Sequence, residues 1–246
     1  MKKLFIGGII ALSFIGCTNW QAEYQKKFAE AALPIQGKFE FMEKMYHNMQ
    51  EDKDTIIYYD NVDKVPVRER QRLIELLPNG TFKEEKDILD FWIMNPSGYD
   101  DNNRVFEDSK DSWSNSYSYY YFANDTVYSE DMMEDALYHF DQYIVKPLQA
   151  AKYLLLIKDK LIVRPRVNMR DFDGGYILSH VIVFDIEAKE QIDSFDVAAE
   201  NSGNVRLSMD SAYMIDLKTG QYELMKDLCS NLNNNAISKA RKRISE

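Results

Sequence analysis

Histidine, cysteine, glycine and long apolar runs are all scarce in this chain, and each shortage removes a class of function. A nucleophilic triad needs a base positioned against a serine or cysteine. Only three histidines exist, His47, His139 and His180. No Gly-x-Ser-x-Gly elbow and no His-Glu-x-x-His pair accompanies them. The ten glycines form no phosphate-cradling loop and no dinucleotide fingerprint, and the two cysteines form no Cys-x-x-Cys motif. No cofactor and no catalytic or metal-ligating residue is therefore assigned. Basic residues are also short, with 30 Lys and Arg against 40 Asp and Glu, for a formal charge of −10. Such a surface repels phosphate backbones, which excludes nucleic acid as an expected partner. The one basic cluster, Lys239-Ala240-Arg241-Lys242-Arg243, suits the C-terminus of a helix, where cations meet the negative end of the dipole.

What is present begins at the N-terminus. Met1-Lys2-Lys3 precedes an apolar run from Leu4 to Ile15, then Gly16 and Cys17. Twelve apolar residues are too few to cross a hydrocarbon core, which takes ~20 as a helix. The order of charge, apolar run and small residue reads as an export signal. The ending Phe14-Ile15-Gly16-Cys17 resembles the lipobox of bacterial lipoprotein precursors. The resemblance covers the first seventeen residues and implies diacylglycerol on Cys17, cleavage after Gly16 and acylation of the new amino terminus. It also implies, by lipoprotein sorting rules, that Thr18 rather than Asp after Cys17 sends the protein to the outer membrane, facing the periplasm. Removal of residues 1–16 takes the formal charge to −12, because that segment carries Lys2, Lys3 and no acid. With Cys17 acylated, Cys229 is the last thiol and no intrachain disulfide remains. Its place among Leu224, Leu228 and Leu232 predicts a buried structural cysteine.

The chain divides into residues 1–16 as signal peptide, 17–34 as lipidated N-terminus with a tether or helix, and 35–246 as one α+β domain. Helical spacing predicts helices over Trp20–Leu33, Lys38–Gln50, Val67–Leu77, Lys83–Met94, a Ser129-capped segment through Ile144, and Gln221–Ile244. Gly220 is expected to mark the entrance to the last of these. The β-branched and aromatic run Thr55–Tyr59 reads as a strand. Strands otherwise concentrate in residues 113–128 and 152–199, including Tyr153–Ile157, Leu161–Val163, Gly175–Asp185 and Gln191–Val197. Short connections between the last of these predict antiparallel neighbours. The expected fold is an antiparallel sheet covered on one face by helices.

Two features carry candidate chemistry. Asp171-Phe172-Asp173-Gly174-Gly175 resembles half of a calcium loop without its distal glutamate, and a turn into the next strand accounts for the same residues. The acidic residues Asp100, Asp101, Glu107, Asp108 and Asp111 read as a solvated loop. Trp113, Tyr117, Tyr119 and Tyr121 share one face of a period-two strand, ~7 Å apart, a spacing suited to stacking on sugars or a peptide. The expected place of that face is nevertheless the core, packed against the helices, with an exposed binding platform as the alternative. The expected function is a membrane-anchored envelope lipoprotein with a non-catalytic binding or scaffolding role. The alternatives are a glycan- or peptide-binding module on Trp113–Tyr121, and a hydrolase whose site gathers His139 or His180 with carboxylates. The expected partners are the lipid bilayer, through the acyl chains, and an envelope protein or glycan.

Overall fold

The computed structural model describes residues 19–51, 56–78, 90–94, 122–123, 125–167, 171–205, 207 and 217–246. Cys17 and the aromatic run Trp113–Tyr121 lie outside these residues, as does the acidic loop. In chain order the elements are α1 (Trp20–Ala32), α2 (Gln36–Glu51), β1 (Ile57–Tyr59), α3 (Val67–Leu76), β2 (Phe91–Met94) and α4 (Glu130–Phe140). A π turn (Asp141–Val145) joins α4 to α5 (Lys146–Ala150). There follow β3 (Tyr153–Val163), β4 (Arg166–Val167), β5 (Phe172–Asp173), β6 (Tyr176–Asp185), β7 (Glu190–Glu200) and α6 (Leu217–Ser245). The arrangement is α+β.

Strands β3, β6 and β7 form an antiparallel meander. The β6–β7 turn is tied by the Asp185 carboxylate, which accepts from the amides of Glu187 and Ala188 at 2.9 and 2.8 Å. The sheet is mixed rather than wholly antiparallel, because β1 and β2 both add to β3 in parallel. β2 covers Tyr153–Leu156 and β1 covers Leu161–Val163. Phe91–Met94, expected at the end of a helix, is thus a strand: four consecutive apolar residues fit a strand buried on both faces as well as they fit a helix turn. Thr126–Tyr128 forms no strand, and Phe122 is helical rather than extended.

Helices cover both faces of the sheet, not one. Leu155, Ile157, Val181, Val183, Phe195 and Val197 pack under α6, against Leu228, Leu232 and Ala236. On the opposite face Leu154, Leu156, Ile182 and Phe184 pack with residues of α1, α2, α4 and α5. Further along that second face, Leu161, Val163, Leu178 and Ala198 meet Leu73 of α3 and Val65. Burial from both sides explains why β3 reads as a run of apolar residues with no alternation. Gly220 lies in the first turn of α6 instead of ahead of it.

Candidate functional site

Strand register builds a polar rung across the second face, between the two apolar clusters. Lys158 of β3 lies opposite His180 of β6, and His180 lies opposite Asp196 of β7. The rung falls where β3 is irregular, between Asp159 and Leu161. That irregularity lets Lys160 reach the same acid. Lys160 Nζ donates to Asp196 Oδ1 at 2.9 Å, and His180 Nδ1 donates to the same oxygen at 2.8 Å. Arg72 of α3 donates to Asp196 Oδ2.

The acid lies deepest. The Asp196 side chain is 16% exposed, against 31% for His180, 37% for Lys160 and 45% for Arg72. Burial pushes its carboxyl up, but hydrogen bonds from Lys160 and His180 and the charges of Lys160 and Arg72 outweigh burial and hold it below the usual carboxylate range. A carboxylate acceptor at this distance puts a proton on His180 Nδ1. The rung carries more cations than acids on an otherwise acidic chain.

Beneath the rung, on the α6 face, Ser179 donates its hydroxyl to buried Asp159 at 2.5 Å. Cys229 of α6 lies close enough to feel Asp159. Its residue surface is partly exposed, yet burial of the thiol, with the Asp159 charge adding to it, pushes its pKa up to about 12. That sets it apart from a reactive thiol, whose pKa is lowered.

The histidines occupy separate parts of the fold. His47 is on α2. His139 is on α4, with Nδ1 2.8 Å from the Asp135 carbonyl oxygen and 3.3 Å from its carboxylate. Its ring stacks on Tyr143, with centroids 5.6 Å apart and planes 14° apart, and meets Tyr138 edge-on. Both tyrosines are exposed. The π turn that follows α4 sets this row. An aromatic face was read at residues 113–121, which lie outside the described residues; the row on α4 was missed, because α4 reads as an ordinary amphipathic helix.

The half calcium loop, read as a turn into the next strand, holds the two-residue strand β5 instead. Asp171 accepts from the amide of Phe172, and Phe172–Asp173 pairs with Arg166–Val167. Among the described residues no group of three His, Cys, Asp or Glu is placed to hold a metal ion, and no helix is long and apolar enough to cross a membrane. No family model, curated protein or solved structure matches the chain.

Proposed function

We propose that the protein is an acylated component of a bacterial cell envelope, held at Cys17 on the outer membrane and facing the periplasm. Its α+β body binds or scaffolds an envelope component and does not turn over a substrate. The observation that carries this reading is the position of α1. Asn19 caps the helix through its side chain, which accepts from Ala22 N at 3.2 Å, two residues after the cysteine of the lipobox-like sequence. Tyr24, Phe28 and Ala32 then bury that helix in the body. A folded domain that starts directly after an acyl site is a domain held at a surface.

The Asp196 rung supports a structural or binding role over a catalytic one. Its carboxylate is shared among Arg72, Lys160 and His180, so it ties α3 to the sheet. Its excess of cations offers a place to hold an acidic group of a partner. The test is incorporation of labelled fatty acid, followed by pull-down from native membranes. Wild type labels and retains a partner; Cys17→Ala loses the label and leaves a soluble or uncleaved product. Normal labelling of Cys17→Ala refutes the anchor.

The exposed row of Tyr138, His139 and Tyr143 favours a second reading, a glycan- or peptide-binding module. Under that reading Tyr143→Ala loses retention on a glycan or peptide array with its thermal midpoint unchanged.

A further inference from the structure

We infer that the end of the body formed by the starts of α1 and α4 lies against the bilayer, with Tyr128 and Met132 seated among zwitterionic, amine-bearing headgroups. This rests on the acylation of Cys17 proposed above. Only Thr18 separates Cys17 from Asn19, and two residue steps span at most about 7 Å. Because α1 is buried in the core, that short reach applies to the whole body and not to a loose arm.

The helices α1 and α4 run the same way. Gln21 pairs with Val127, and Phe28 packs on Phe140 with centroids 4.4 Å apart. Their N-termini therefore share one end. Gln21 fastens the connection there, donating to the Asp125 carbonyl at 3.0 Å and accepting from Val127 N at 2.9 Å. One residue on, Tyr128 is 76% exposed, and Met132 in the first turn of α4 is 45% exposed. A tyrosine has an apolar ring and a polar tip, the amphipathic form that settles at a membrane–water boundary. Glu23 pairs with Lys27, which also lies near Glu130 and Glu134, and Asp125 and Asp131 flank Tyr128 and Met132 in sequence. This acidic rim matches ammonium-bearing headgroups and is repelled by anionic lipid.

The test compares two exposed positions at different distances along the chain from that end. Tyr138 lies nine residues beyond the Ser129 cap, roughly 14 Å along the α4 axis. In acylated protein with Cys229→Ala, Tyr128→Cys and Tyr138→Cys each carry a nitroxide on phosphatidylethanolamine-rich vesicles. Accessibility to a water-soluble nickel chelate is read, and the mass of the N-terminal peptide reports acylation. The expected result is a several-fold loss of accessibility at position 128 with position 138 unchanged, and a smaller loss as phosphatidylglycerol replaces phosphatidylethanolamine. Amide hydrogen exchange on the unsubstituted protein gives the same comparison, with protection over residues 125–132 and none over 137–143. Acylated protein with both positions open, or with 138 more shielded, overturns the seating and leaves the anchor standing. An unacylated N-terminal peptide overturns both.

Discussion

The side-chain amide of Asn235 donates to the backbone carbonyl of Ala198 at 2.7 Å, and so α6 closes the open edge of the sheet. The same helix repeats the contact on either side: Asn231 donates to the Glu200 carbonyl at 2.9 Å and Lys239 to the Asp196 carbonyl at 2.9 Å. Four residues of helix rise about 6 Å and two residues of strand about 6.6 Å, so the two ladders stay in step. An edge strand that presents unpaired carbonyls invites pairing with other chains, and these side chains cover it. Asn235→Ala strands the buried Ala198 carbonyl. The expected loss is about 1–3 kcal/mol, read as a lower urea midpoint, with increased self-association on heating. An unchanged midpoint would mean that the apolar face alone holds α6.

Asp196→Asn should lower stability by about 1–3 kcal/mol at neutral pH, because Lys160, Arg72 and His180 lose their shared counter-charge. The folded carboxyl titrates below its unfolded value of about 3.9, so its contribution is complete above that value and fades as pH falls through the depressed folded one. Urea titrations of both proteins should therefore diverge at pH 7 and converge in strong acid. A constant difference at every pH would locate the effect in packing instead.

Cys229 should resist alkylation in the native protein and react once urea unfolds it. Its raised pKa favours the fold while the unfolded thiol remains protonated. That contribution is lost as pH climbs from about 9 towards the folded value of about 12. Alkaline melts should accordingly show Cys229→Ser less sensitive than wild type over that window. Rapid native alkylation would contradict the burial.

Gly175 sits where no side chain fits. A Cβ there would lie 2.6 Å from the Val163 carbonyl oxygen and 2.6 Å from Pro165 Cδ, while its amide donates to buried Asn201 Oδ1 at 2.7 Å. Asn201 in turn donates to the Leu224 carbonyl and to Asp227, which ties the start of β6 to α6. Gly175→Ala should cost about 1–3 kcal/mol by overpacking, with a thermal midpoint lower by about 2–4 °C for each kcal/mol in a chain of this size. A midpoint equal to wild type would show that the Pro165 turn relaxes freely.

Local chemistry made part of this protein legible from its residues alone. The hairpin of β6 and β7 follows from two β-rich runs and a four-residue turn, and their antiparallel pairing is as expected. Ser129 and the spacing of Leu224, Leu228 and Leu232 announce their helices, because caps and 3.6-residue periodicity act within a few residues of chain. The lipobox-like sequence Phe14-Ile15-Gly16-Cys17 is contiguous too, so the proposed anchor draws on no tertiary contact.

Other features depend on partners far away in sequence. Phe91–Met94 became a strand because β3 supplied a parallel edge for it, and Lys158-Asp159-Lys160 did not end β3 because Ser179 and Asp196 meet its charges across the sheet. Register brought His180 and Asp196 together, and the packing of α3 on the sheet brought Arg72 to the same acid from 124 residues away. The proposed seating on a bilayer likewise rests on the packing of α1 against α4, which puts Tyr128 at the end of the body where α1 begins.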